Sequence, residues 1–172
     1  MTIICCASLN HRALHSFQNV VSQQPQNGDE ARMSLLRPHF SVQELACGCC
    51  GRLWVAPGLL DALEELRAAA GAPIIVLSGF RCPAHNSRVG GSLKSRHLTG
   101  QAADLTIPGL TPAKMLALAL GVGAFARGGA GLYPQEGFIH VDLRPVPARW
   151  ARLGSRYTSL AAVGLETSLL PA

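Results

Sequence analysis

Two histidines and one aspartate, set in segments of alternating apolar residues, constrain this chain more than any other feature. His97 precedes Asp104 by seven residues, in Ser95-Arg96-His97-Leu98-Thr99-Gly100-Gln101-Ala102-Ala103-Asp104. Residues 102–107 read as a strand. A second strand-like run, Phe138-Ile139-His140-Val141-Asp142-Leu143-Arg144, carries the other histidine. Side chains alternate between the faces of a strand. His140, Asp142 and Arg144 therefore share a polar face opposite Ile139, Val141 and Leu143, and Asp104 shares one with Ala102 and Thr106. The apolar faces should pack on a core and leave the polar ones as a working or exposed surface. His97 arrives from the loop before Asp104. Two histidines and a carboxylate are the three-ligand set of a hydrolytic zinc site, whose fourth position stays open for water. Each residue also has a plainer reading: a strand histidine that is only a surface group, or an aspartate that closes a turn or pairs with an arginine.

The remaining segments suggest what holds those strands. The chain has 172 residues, of which 48% are hydrophobic, which suits one domain with a core of its own. Ser41 followed by Glu44 is a capping box, with Phe40 placed as a hydrophobic staple. Residues 57–70 predict a helix, since Pro57 suits the first turn, Leu59, Leu63, Leu66 and Ala70 recur at helical spacing, and Gly71 suits the C-terminal cap. Residues 73–77 are a continuous apolar run, expected as a buried strand. Residues 84–89 make one or two helical turns, and Thr111-Pro112 opens a helix over about 112–120. Residues 128–133 and 138–144 pair as an antiparallel hairpin around a turn at 134–137. This order predicts an α+β domain with a small, mainly antiparallel sheet and helices on one face.

Residues 1–36 look different. They are expected to be a disordered or dispensable leader, with Met33 as the true start, ahead of a catalytic domain over 37–152 and a tail over 153–172. The leader holds two Arg against one Asp and one Glu, so the whole net charge of +5 falls after it. Such an excess favours an anionic partner such as a wall polymer, or is simply a solvated basic surface. The few aromatic residues are not interleaved with the basic ones, so no nucleic-acid platform is expected. No apolar run approaches the roughly 18 residues of a membrane span. A monomer is expected.

The chain has six cysteines, Cys5, Cys6, Cys47, Cys49, Cys50 and Cys82. Three of them crowd into Cys47-Gly48-Cys49-Cys50, a poor pattern for a secreted disulfide scaffold. Together with Cys82 they suit a structural zinc site of four thiolates, a disulfide with free thiols, or reduced buried cysteines.

Several motifs together carry a resemblance. Ser78-Gly79-Phe80-Arg81, His85-Asn86, Gly90-Gly91, Ser95-x-His97-x-x-Gly100-x-Ala102-x-Asp104, Gly131-x-Tyr133 and Phe138-Ile139-His140-Val141-Asp142 resemble the zinc D-Ala-D-Ala carboxypeptidase and endopeptidase family, in its branch of phage and bacterial murein peptidases. The likeness runs from about Phe40, whose Phe40-Ser41-x-x-Glu44-Leu45-x-Cys47 opening also fits, to Trp150. It implies the hedgehog/DD-peptidase fold and one Zn2+ held by His97, Asp104 and His140. It further implies Arg81 polarising the scissile carbonyl or holding a substrate carboxylate, Ser95 beside the substrate peptide, and peptidoglycan as substrate. Many members place a carboxylate three residues before the last histidine, where this chain has Gly137. The general base is then Asp142, favoured by strand alternation, or Glu136 in the hairpin turn. The resemblance implies action at the cell wall, from the periplasm or outside the cell, or by a phage-encoded protein released at lysis. Two other classes fit the residues: a non-catalytic wall-binding or phage structural module of the same fold, and an interaction domain organised by cysteine-bound zinc.

Overall fold

The helical and strand periodicities resolve into a mixed sheet backed by helices. The computed structural model describes residues 35–165; residues 1–34 of the expected leader, with Met33, Cys5 and Cys6, and residues 166–172 of the expected tail lie outside the described residues, whereas Leu35 and Leu36, also assigned to the leader, form part of a strand. Strands β1 (Leu35–Arg37) and β2 (Phe40–Ser41) form a small antiparallel pair. The capping box is present: the Ser41 amide donates to Glu44 Oε2 at 2.8 Å, and Ser41 Oγ accepts from the Glu44 amide, opening the short helix α1 (Val42–Leu45). Helix α2 spans Pro57–Ala70 and ends on Gly71 at φ +58°. Leu59, Leu63 and Leu66 of α2 are fully buried, each contributing about 1.5–3 kcal/mol through the area it removes from water.

Strand β3 (Ile75–Ser78) leads to helix α3 (Pro83–Arg88), a 3-10 turn at Arg96–Thr99, and strand β4 (Ala102–Thr106). Helices α4 (Pro112–Gly121) and α5 (Gly123–Arg127) follow; the Thr111 side chain caps α4 by accepting from the Lys114 amide. Strands β5 (Gly129–Tyr133) and β6 (Phe138–Asp142) form the expected hairpin. Strands β7 (Ala148–Leu153) and β8 (Arg156–Thr158) complete a six-stranded sheet in the order β3-β4-β6-β5-β7-β8. The β5–β7 pair is parallel and the other pairs are antiparallel.

Two elements differ from expectation. The 73–77 run is not a buried strand: among the described residues β3 lies at the sheet edge, paired only with β4, and it exposes Ile75 and Leu77. One neighbour and one covered face leave half of an apolar run in water. The sheet also continues through Thr158, past the expected boundary at 152, because β7 and β8 add to its far side.

Register sorts the side chains into two layers. Leu105, Ile139, Leu132 and Ala151 stand opposite one another across β4, β6, β5 and β7. They are buried in one core with Leu63 and Leu66 of α2, Met115, Leu116 and Leu120 of α4, and Phe125 of α5. The next row lies on the other face and runs Ser78, Asp104, His140, Gly131, Trp150 across five strands. The α+β class is thus observed, with its polar row held on a sheet whose reverse side is packed.

Candidate metal centre

Three donor atoms converge above that row. His97 Nε2 lies 3.2 Å from His140 Nδ1 and 3.3 Å from Asp104 Oδ1, and His140 Nδ1 lies 2.8 Å from Asp104 Oδ1. Tetrahedral ligands about 2.0–2.1 Å from a zinc ion stand about 3.3 Å apart, so the triangle fits such an ion with a contraction at one edge. Register explains the pairing of Asp104 with His140, which are direct cross-strand partners. The 3-10 turn ends on Gly100, whose positive φ returns the chain into β4 and leaves His97 buried beside them.

The ring nitrogens that do not face the triangle fix the tautomers. His97 Nδ1 lies 2.7 Å from the Gly79 carbonyl. A carbonyl only accepts, so the proton sits on Nδ1 and the Nε2 lone pair points to the centre. His140 Nε2 lies 2.9 Å from Asp142 Oδ2, which in the same way leaves Nδ1 as donor. Two ring nitrogens converging beside a carboxylate are the chemistry of a cation site. Burial would raise the Asp104 pKa, but its pairing with the adjacent His140 and His97 rings outweighs it and holds the carboxyl well below the usual range. Burial would lower His140, yet its bonds to Asp104 and Asp142 raise it.

The other expected site residues fall in different places. Asp142 is fully buried and stands behind the His140 ring. It also accepts from the Gly129 amide at 3.1 Å and the Arg144 amide at 2.9 Å, and pairs with the Arg144 guanidinium at 2.5 Å. Strand alternation correctly gives it the same face as His140, but the imidazole fills the space between it and the triangle. Arg81 forms an ion pair with Asp104 through Oδ2, and its Nε donates to Ser78 Oγ at 2.7 Å. It thereby holds the carboxylate oxygen that does not join the triangle. Ser95 lines the cleft in front of the centre. Glu136 does not; it lies in the hairpin turn, 3.8 Å from Arg152, which does line it.

The cleft has a volume of about 640 Å³. Among the described residues its walls carry Arg81, Lys94, Arg96, Arg144 and Arg152 against one carboxylate, Asp104. Tyr133 and Trp150 also line it; from sequence Tyr133 enters only as part of the Gly131-x-Tyr133 motif, and neither residue is given a site role. The Trp150 ring centroid lies 5.3 Å from that of His140, the Arg144 guanidinium sits 4.8 Å above the indole, and Trp150 Nε1 donates to Tyr133 Oη at 3.4 Å. Burial raises the Tyr133 pKa, so the phenol stays protonated and remains a donor. The sequence signal for this arrangement is the alternate glycine pair on β5. A Cβ on Gly131 would lie 2.3 Å from the Trp150 ring, and one on Gly129 would lie 2.4 Å from Asp142 Oδ2. Glycine inside a strand marks such close approaches.

Among the described residues, no helix is long and apolar enough to cross a membrane. The chain is 35% identical over 98 residues to the peptidoglycan L,D-endopeptidase MepK of Escherichia coli strain K12, and equally to MepK of Shigella flexneri. The shared segment is 53% of this chain and 52% of each relative, so the chain spans about half the length of the curated relatives it matches. The Peptidase M15 family model matches residues 38–142, from the approach to the capping box through the three converging donors to Asp142. By that match, which covers most of its length, the chain belongs to the Peptidase M15 family.

Proposed function

We propose that this chain is a zinc-dependent peptidase, of the hedgehog/DD-peptidase fold, that hydrolyses amide bonds in the stems or cross-links of peptidoglycan. The observation that carries the reading is the donor triangle, with both histidine tautomers set from outside it, open to a basic cleft. His97, Asp104 and His140 would hold the ion, and zinc supplies a Lewis acid and an acidified water when bound. Asp142 and Arg144 act by fixing the His140 tautomer. Arg81 fixes the Asp104 rotamer and offers the rest of its guanidinium to the substrate carbonyl. The protonated Tyr133 phenol is a second donor toward that oxygen, where developing charge is stabilised by preset dipoles. Ser95 flanks the peptide. Glu136 is the remaining sequence-expected carboxylate for the proton acceptor; it stands outside the cleft on the hairpin turn beside Gly137, 3.8 Å from Arg152, so this reading requires the turn to carry it in when substrate binds.

The basic walls suit stem peptides, which bear free carboxylates, and the net charge of +5 favours association with an anionic wall. The similarity to an L,D-endopeptidase favours cutting a cross-link over trimming a terminal residue. Action is at the wall, beyond the cytoplasmic membrane, and as a monomer. The test is digestion of muropeptides joined by L,D or by D,D cross-links, with products read by mass spectrometry. Cleavage of the L,D class alone is expected; release of terminal D-Ala without cross-link cleavage would contradict it. A second reading, a non-catalytic wall-binding module, draws on Asp104 being the one carboxylate among the described residues that line the cleft. Binding of intact peptidoglycan without any product would favour it.

A further inference from the structure

A second cluster of metal-ligating side chains lies outside the cleft. The sulfurs of Cys47, Cys49, Cys50 and Cys82 all lie within 4.8 Å of one another. Cys49 Sγ is 3.4 Å from Cys82 Sγ and 3.6 Å from Cys47 Sγ, and no disulfide joins them. A disulfide needs about 2.05 Å between sulfurs. Four thiolates about 2.3 Å from one zinc ion stand about 3.8 Å apart. The observed separations match the second arrangement.

The backbone is shaped for this convergence. Cys47 and Cys50 have the two-residue spacing of a metal-binding turn. The Cys47 carbonyl accepts from the amides of Cys50 at 3.2 Å and Gly51 at 2.8 Å, and Gly51 has φ +67°. That turn brings Cys47, Cys49 and Cys50 round to one point, and Cys82 meets them from the start of α3. Donors surround the sulfurs as thiolates require. The Cys82 amide donates to Cys47 Sγ and the His85 amide to Cys82 Sγ, both at 3.4 Å, and His85 Nδ1 lies 3.3 Å from Cys47 Sγ.

We propose that Cys47, Cys49, Cys50 and Cys82 form a closed, structural zinc site, separate from the catalytic centre. Four thiolates fill a tetrahedral shell and leave no position for water, so the site is not hydrolytic. Its place gives it a purpose. Residues 46–56 have no regular secondary structure, and the site ties them to the segment that bears Arg81, the residue before Cys82. The Phe80 amide donates to the Leu45 carbonyl at 2.8 Å, and the Arg81 amide to the His97 carbonyl at 3.1 Å. A fixed Cys82 therefore sets the guanidinium that grips Asp104.

The experiment uses the full chain, purified with zinc under reducing conditions, and does not depend on activity. Elemental analysis should give two zinc ions per chain, falling to one in His140→Ala and to one in a Cys49→Ser/Cys50→Ser variant. After cobalt exchange, wild type and His140→Ala should both show a thiolate-to-cobalt charge-transfer band, and a Cys5→Ser/Cys6→Ser variant should keep it. One zinc ion per wild-type chain with no such band in the cobalt form of His140→Ala overturns the proposal. So does iron in place of zinc, or loss of the band on replacing Cys5 and Cys6. The His140→Ala spectrum leaves the cluster intact and so decides the matter even where the double serine variant fails to fold.

Discussion

Replacing Asp142 by Asn separates a positioning carboxylate from a general base. The Asp142 Oδ2 receives His140 Nε2 at 2.9 Å and Arg144 Nη2 at 2.5 Å, while Oδ1 receives the amides of Gly129 and Arg144. An Asn that keeps its oxygen toward the two amides turns its NH2 toward His140 and Arg144, donor against donor. The imidazole can answer only by moving its proton to Nδ1, and Nδ1 then ceases to be a metal donor. The flipped amide instead leaves two buried backbone donors facing an NH2. Loss of such an outer carboxylate lowers metal affinity about 10–100-fold, or about 1.4–2.7 kcal/mol. Arg144 is 30% exposed at its side chain, so losing its charged partner adds about 1–3 kcal/mol of fold destabilisation, toward the low end because water reaches it. The assay is zinc competition against a chromophoric chelator, run beside kcat on peptidoglycan at saturating zinc. Weakened zinc binding, with activity largely recovered by excess zinc, is expected. Zinc affinity within about threefold of wild type, with kcat down by the roughly 10²–10⁴ of a lost base, would refute the reasoning and make Asp142 the proton acceptor.

Glu136→Gln should show the opposite pattern: zinc affinity unchanged and kcat on peptidoglycan reduced about 10²–10⁴-fold, and unchanged kcat would remove Glu136 from the mechanism. Gly131→Ala places a methyl 2.3 Å from Trp150 and should cost about 1–3 kcal/mol as an overpacked contact, read as a lower thermal midpoint and a changed indole emission; an unchanged spectrum would show that Trp150 does not lie against β5. Zinc and a proton compete for His140 Nδ1, and the pKa of His140 is raised, so zinc affinity should begin to fall on acidification from above the ordinary histidine value of about 6.5; affinity constant down to pH of about 5.5 would contradict this. Asp142 is held below the usual carboxylate range, with burial outweighed by its bonds to His140 and Arg144. Its contribution to stability is therefore fully present above the unfolded value of about 3.9 and is lost as pH falls through the folded value, a dependence that acid titration of Asp142→Asn should lack.

Local patterns carried much of the fold. Pro57, the leucines at 59, 63 and 66, and Gly71 mark α2 because start, buried face and stop are all written in the 14-residue helix and the cap that follows it. Alternation likewise put His140 and Asp104 on the working faces of their strands, and Phe138 to Asp142 form the expected hairpin arm. Long-range features were not legible. Nothing in Ala148-Arg149-Trp150-Ala151 alternates cleanly, and its parallel pairing with β5 depends on a strand some twenty residues earlier. The apolar run that became β3 does not reveal that it has one neighbour. At the site, the residue types were readable but not which histidine nitrogen faces the centre. That choice is made by the Gly79 carbonyl and by Asp142. For the same reason Asp142 could be placed beside His140 from alternation, but not behind its ring.

The most direct test of the account is digestion of purified peptidoglycan by wild type and by His140→Ala, with the zinc content of both measured on the same samples. Zinc-dependent release of cleaved stems or cross-links by wild type, lost in the variant together with one zinc ion, is the predicted result. Full zinc loading of wild type with peptidoglycan left intact, or equal digestion by His140→Ala, would contradict the claim that this triangle of donors is a catalytic centre.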